Sequence, residues 1–140
     1  MLKNLFKKEK KSSSYNNILI AALLIHAARI DENYTETEKK IITKAIMELN
    51  KFIYDQSEKI LNEAEKKEEE SNQIVEFTRE IKKHSIEFRL KVIEIIWKIV
   101  YSDGTSDNYE SNLIRRICGL LYISDKDNGI IKTKVINQSK

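Results

Sequence analysis

The apolar positions of this chain recur at helical spacing, and no stretch shows the strict alternation of a half-buried strand. Ile18 through Ile25 is continuously apolar, which predicts a helix over about 15–30 that is buried on most sides. A turn, DENYT, follows. Ile41, Ile42, Ala45, Ile46, Leu49, Phe52 and Ile53 form one stripe and predict an amphipathic helix over about 35–54. Ile60, Leu61 and Ala64 point inward from a third helix over about 57–70, whose other face, EAEKKEEE, is expected to be a solvated surface. Ile74, Phe77, Thr78 and Ile81 give a fourth helix over about 72–83. In a fifth, over about 86–101, Glu87, Lys91, Glu94 and Lys98 make a single polar stripe and Val92, Ile93, Ile95, Ile96, Trp97 and Ile99 fill the rest, as befits a second central helix. Leu113, Ile114, Ile117, Cys118 and Leu121 mark a sixth over about 107–121; a short seventh starts near Ser124 and the end is expected to be loose. The pattern predicts an all-α fold, a compact bundle of six to seven helices.

The pattern also repeats. A shift of 72 residues lays Asp31 on Asp103 and Glu38 on Glu110, and brings the stripe from Ile41 to Leu49 onto the stripe from Leu113 to Leu121. Apolar agreement alone means little, because all helices share a period. The acidic anchors agree as well, without a gap. An internal pseudo-two-fold repeat of about 15–54 and 86–121 is therefore expected, too long in period and too few in copies for a solenoid.

With 140 residues, no proline and three glycines, the chain suits one helical domain. The net charge of +3 hides an uneven distribution. Residues 1–14 carry five Lys and one Glu, and 126–140 carry four Lys and one Asp, which leaves 16 basic and 20 acidic residues for 15–125. Three parts follow: a basic N-terminal tail (1–14), a helical domain (15–127) and a basic C-terminal tail (128–140). The tails are read first as solubilising. Leu2, Leu5 and Phe6 among the lysines of residues 1–11 make weak contact with an anionic membrane the alternative. An acidic body without a concentrated basic stripe argues against nucleic acid. The start lacks the long apolar core of a signal peptide. The run Ile18–Ala28 is about half the length that spans a bilayer. A cytoplasmic protein is expected, with association at the inner face of the membrane as the variant of that reading.

The candidate chemistry lies in two loops, AARIDENYTETE (27–38) and VYSDGTSDNYE (100–110), each with an Asp leaving one helix and a Glu entering the next. The glutamates have a structural explanation. Thr35-x-x-Glu38 fits a capping box and Asp107-x-x-Glu110 a looser version of it, each contributing about 1 kcal/mol. The aspartates are harder to explain, because a negative charge at a helix C-terminus costs about 0.3–1 kcal/mol. A bond to a turn amide or a bound cation offsets that cost. Asp31, Glu38, Asp103 and Glu110 are thus the candidate metal ligands, with Ca²⁺ or Mg²⁺ preferred over Zn²⁺ because the donors are hard oxygens. The spacing is not that of an EF-hand. The rival to a binding module is a metal-assisted hydrolase, which needs these carboxylates to converge in a cleft. No nucleophile motif or phosphate-binding glycine loop supports an enzyme. His26 reads as a core or boundary residue, His84 as part of a turn, and Cys118 as a packing thiol. Arg115 and Arg116 are exposed cations suited to an acidic surface.

Ala28-x-x-Asp31 with Glu38, Phe77-Thr78-Arg79, and Trp97-x-x-x-Tyr101-x-Asp103-Gly104 with Glu110-x-x-Leu113-Ile114-Arg115-Arg116 together resemble a TerB-like domain. This is the tellurite-resistance TerB superfamily, especially its uncharacterised bacterial branch. The resemblance covers about 15–127, and the second loop is its more specific part. It implies an all-helical fold with two acidic loops related by pseudo-symmetry. It also implies metal binding at the matching positions, Asp31, Glu38, Asp103 and Glu110, and a non-enzymatic role with a protein partner in a stress-response or membrane-proximal assembly. Glu32 stands where the family often has glycine, whereas the second loop keeps Gly104, so the two turns are expected to differ.

Overall fold

The computed structural model describes residues 16–31, 34–50, 54–71, 73–102 and 108–138. The basic segment 1–11, with its alternative reading as a weak membrane contact, lies outside the described residues. The elements are α1 (16–28), a 3₁₀ turn (Arg29–Asp31), α2 (Glu36–Asn50), α3 (Tyr54–Glu70), α4 (Ile74–Ile81), α5 (Ile86–Val100), α6 (Asn108–Leu120) and α7 (Asp125–Gln138). The fold is an all-α bundle, with no strand among the described residues. No helix among them is long and apolar enough to cross a membrane.

Two helices organise the core. Every residue from Leu19 to Ile25 in α1 is buried, as are Ala27 and Ala28. In α5 the buried run is Val92 to Trp97, with Ile99 and Val100. Helices with so little polar surface must be covered on nearly every side, since each fully buried Leu or Ile contributes about 1.5–3 kcal/mol. Against α5 pack α2, α6 and α7, while α3 packs on α2 and α4 on α6. Phe77 and Ile81 of α4 are fully enclosed.

The two halves bury corresponding positions. A displacement of 72 lays 16–28 on 88–100, within α5, and 36–50 on 108–122, against an observed Asn108–Leu120. Ile42, Ala45 and Ile46 fall on Ile114, Ile117 and Cys118, all buried. Cys118 packs as a small apolar side chain. Burial, with the Asp125 charge nearby, pushes its thiol up to about 12, so it is no nucleophile at neutral pH.

Two elements differ from those expected. The third helix already includes Tyr54 rather than starting near Ser57, and residues 51–53, over which the second helix was expected to run, lie outside the described residues. Ser57 is a fully buried residue inside α3. No Gly or Pro marks where the third helix starts. The second difference is larger: the segment from Ser124 is not a short helix with a loose end but a helix as far as Gln138. The Ser124 hydroxyl caps it by accepting from the Asp127 N–H at 3.1 Å.

Helix α7 is weakly amphipathic in sequence, and it is held largely by polar contacts. It lies along the polar stripe of α5. Glu94, buried, accepts from Lys91 at 3.2 Å and pairs with Lys134 at 2.8 Å. Trp97 Nε1 donates to Asn128 Oδ1 at 2.9 Å, and Lys132 Nζ sits 5.2 Å from the centre of the Trp97 ring. Val135 is the buried apolar anchor.

Burial alone raises the Glu94 carboxyl pKa. The hydrogen bonds from Lys134 and Lys91, with the charges of Lys91 and Lys98, outweigh it and hold the group below its ordinary value. A depressed folded pKa means that the stabilisation is present above the unfolded value and is lost as pH falls through the folded one. The expected outcome is loosening of α7 as acid is added below the ordinary carboxylate range. A change in Trp97 fluorescence should report it before the bundle unfolds. Glu94→Gln should cost about 1–2 kcal/mol at neutral pH and flatten this acid response; an unaltered pH profile in that variant would refute the assignment.

Candidate functional site

The first acidic loop joins α1 to α2, and the structure shows what braces its two ends. At the far end is a full capping box. Glu38 N–H donates to Thr35 Oγ1 at 3.1 Å, and Thr35 N–H donates to Glu38 Oε1 at 2.8 Å. The Thr35 hydroxyl also donates to Glu38 Oε1, at 3.0 Å. Thr35-x-x-Glu38 was readable as such a cap, because two reciprocal bonds satisfy backbone donors that the first turn leaves open. Glu38 is buried.

At the near end, Arg29 and His26 reach α3. Glu68, only 6% exposed, takes the Arg29 guanidinium on Oε2 and lies 3.3 Å from His26 Nδ1 through Oε1. Arg29 also approaches Glu69 at 3.5 Å. Tyr34, just past the loop, donates its hydroxyl to Glu65 at 3.1 Å. Its ring is flanked by two cations, Arg29 Cζ at 5.0 Å and Lys39 Nζ at 5.0 Å from the ring centre. Burial drives the Tyr34 phenol far above its usual range and the Glu65 carboxylate adds to this, so Tyr34 remains a neutral donor.

Three glutamates of the EAEKKEEE run therefore face the first loop, which corrects the reading of that run as a purely solvated surface. The signal was present. Ser57, Leu61, Ala64 and Glu68 fall on one side of α3, and all four are buried. A carboxylate at the end of an inward stripe needs a partner, and Arg29 and His26 are that partner. His26 and Arg29 were not among the expected site residues, because the sequence does not show which helix covers them.

Of the four expected ligands, Glu38 is the one whose side chain is described, and one of its oxygens is engaged in the capping box. Asp31 closes the 3₁₀ turn and Glu110 lies in the first turn of α6. The side chains of Asp31 and Glu110, and Asp103 altogether, lie outside the described residues. Among the described residues no group of three or more His, Cys, Asp or Glu is placed to hold a metal ion.

Two long buried helices, each followed by an amphipathic one across an acidic loop, are the frame in which a family comparison has meaning. The chain matches the sequence model described as tellurite resistance protein TerB over residues 17–133. It belongs to that family. The match includes both acidic loops and most of α7. No match to a curated protein or to a solved structure accompanies it. The resemblance inferred from the loop residues is thus shown for the family.

Two substitutions test the bracing of the first loop. Thr35→Ala removes one half of the capping box and should cost about 1 kcal/mol in chemical denaturation. Glu68→Ala leaves Arg29 and His26 without their shared carboxylate and should cost more, about 2–3 kcal/mol. Amide exchange should then rise around Arg29–Asp31 and Tyr34 ahead of the α5 core. Uniform loss of protection would show that Glu68 supports the fold and not the loop.

Proposed function

We propose that this chain is a non-enzymatic TerB module that binds a protein partner through its inter-helix loops, in a stress-response assembly of the tellurite-resistance kind near the membrane. Two-sided bracing of the first loop carries this reading. Glu68 holds Arg29 at the loop's near end and Glu65 holds Tyr34 at its far end. A plain connection between two helices needs no such buried charge, and anchoring the two ends of a loop lowers the entropy it loses on binding.

The donor sets of the two loops differ in their fit to a cation. In the first, Glu38 serves the cap, and Arg29 and Lys39 each lie 5.0 Å from the centre of the Tyr34 ring. Two fixed positive charges disfavour a dication there. At the second loop the shift of 72 puts Tyr101 and Ser111 in place of Arg29 and Lys39, so those flanking cations are missing. Asp103 and Glu110, beside Gly104, are therefore the ligands to which the proposal assigns Ca²⁺ or Mg²⁺, ahead of Zn²⁺. The same register supports an origin of the domain by doubling of a helical hairpin.

Calorimetric titration of the full chain with Ca²⁺, Mg²⁺, Mn²⁺ and Zn²⁺ tests the cation. Binding of Ca²⁺ or Mg²⁺ is expected in the wild type and in Asp31→Ala, and should vanish in Asp103→Ala and Glu110→Ala. No heat with any of the four ions removes the cation from the proposal. Loss in Asp31→Ala with retention in Asp103→Ala would move it to the first loop.

A further inference from the structure

A second surface, on α4 and the end of α6, has the composition of a protein interface. On α4, Val75, Arg79 and Lys82 follow at i, i+4 and i+7, one side of the helix, and all three are exposed. Helix α4 packs on α6, and Lys82 Nζ stands 5.6 Å from the centre of the Tyr122 ring at the end of α6. The outer sides of the two helices therefore meet at Tyr122. Arg115 is exposed on α6, seven residues before Tyr122.

Tyr122 is unusual on two counts. Its φ is 57°, the left-handed region in which a β-carbon crowds the backbone. It occupies the position that closes a Schellman turn, with Ile123 N–H donating to Cys118 O at 2.9 Å, where glycine is the common residue. Yet the residue is 72% exposed, so burial does not compensate for the backbone conformation. An aromatic ring is thus displayed at a place where the fold by itself favours glycine.

The cations around it are also unspent. Lys67, Lys83, Lys91 and Lys134 each pair with a carboxylate. Arg79, Lys82 and Arg115 have no such ion pair among the described residues. Exposed Tyr and Arg are the residue types that most often carry the energy of protein interfaces.

We propose that this face docks an acidic segment of a partner protein, with carboxylates against Arg79, Lys82 and Arg115 and an apolar side chain beside Tyr122 and Val75. Three cations interleaved with two apolar side chains suit a peptide. A nucleic acid calls for a concentrated basic stripe, which three cations spaced by Val75 and Tyr122 do not make. A bilayer needs a contiguous apolar face, and Val75 and Tyr122 are separated by the cations. This proposal is independent of the acidic loops and stands or falls without them.

The test is fluorescence anisotropy on the full chain with a labelled amphipathic peptide that carries Glu and Leu at helical spacing. Binding that weakens as salt is raised is expected. Arg79→Glu, Lys82→Glu and Arg115→Glu should each lower affinity about tenfold. Lys40→Glu with Lys44→Glu, exposed on α2, changes the total charge more but should shift affinity by less than about twofold. Tyr122→Gly should keep or raise the melting temperature while weakening the peptide, a combination that a purely structural tyrosine would not produce. The proposal is overturned by absence of binding at low salt, by equal losses in the α2 variant, or by a Tyr122→Gly protein of unchanged affinity. Tighter binding of single-stranded DNA or phosphatidylglycerol vesicles through the same residues overturns it as well, and so does self-association abolished by Arg115→Glu.

Discussion

Covering two helices that have almost no polar face is the constraint from which the rest of this structure follows. Helices α1 and α5 bury apolar side chains on nearly all sides, so neither is stable without a shell of partners. Helices α2 and α6 supply one wall each through matching stripes. The remaining sides fall to elements that are not alike in the two halves: α7 lies along the Glu87–Lys98 stripe of α5, whereas His26 of α1 meets α3. The asymmetry has a chemical counterpart. Glu94, on the covered stripe, falls opposite Ala22 in the 72-residue register, so the first half has no carboxylate there to bridge and the second has one held by two lysines.

Charge inside the shell is used for position more than for net stability. Buried ion pairs give up much of their attraction to desolvation, but a buried charge without its partner is costly. Glu68 therefore specifies where Arg29 and His26 must go, and Glu94 specifies where Lys134 must go. These two contacts orient the elements that apolar packing orients least. One is the first inter-helix loop, and the other is α7, whose apolar side chains do not form a clear stripe. The family's acidic loops thus rest on a scaffold in which one loop is pinned to a neighbouring helix through charged groups of its own.

How far the residues announce this can be judged position by position. The inward residues of α1, α2, α5 and α6 follow directly from the period of the apolar pattern, and Thr35-x-x-Glu38 reads as the cap it is. The start of α3 does not, because no Gly or Pro precedes Tyr54 to set it off from the apolar spacing before it. Helix α7 was harder still. Ile130 is 58% exposed while Val135 is buried, so its apolar residues do not mark its packed side, and its polar bonds to Trp97 and Glu94 come from a helix some thirty or forty residues earlier. Within the candidate site the acidic residues at the loop were visible and Glu68 sat on the inward stripe of α3, but its partners were not, since Arg29, Tyr34 and Glu65 look like ordinary surface groups until α3 is set beside α1.

Local periodicity by itself determined the helices, their inward faces, the capping box and the 72-residue register, because each depends on residues within a few turns of one another or on a comparison of the chain with itself. It also carried the family resemblance, through the loop residues. Only the tertiary structure decided that the acidic face of α3 turns toward a loop, that α7 closes over α5, and that Tyr122 stands exposed beside Lys82. Those outcomes depend on which helix covers which, and the energy differences between such arrangements lie in long-range contacts that no short stretch of sequence contains.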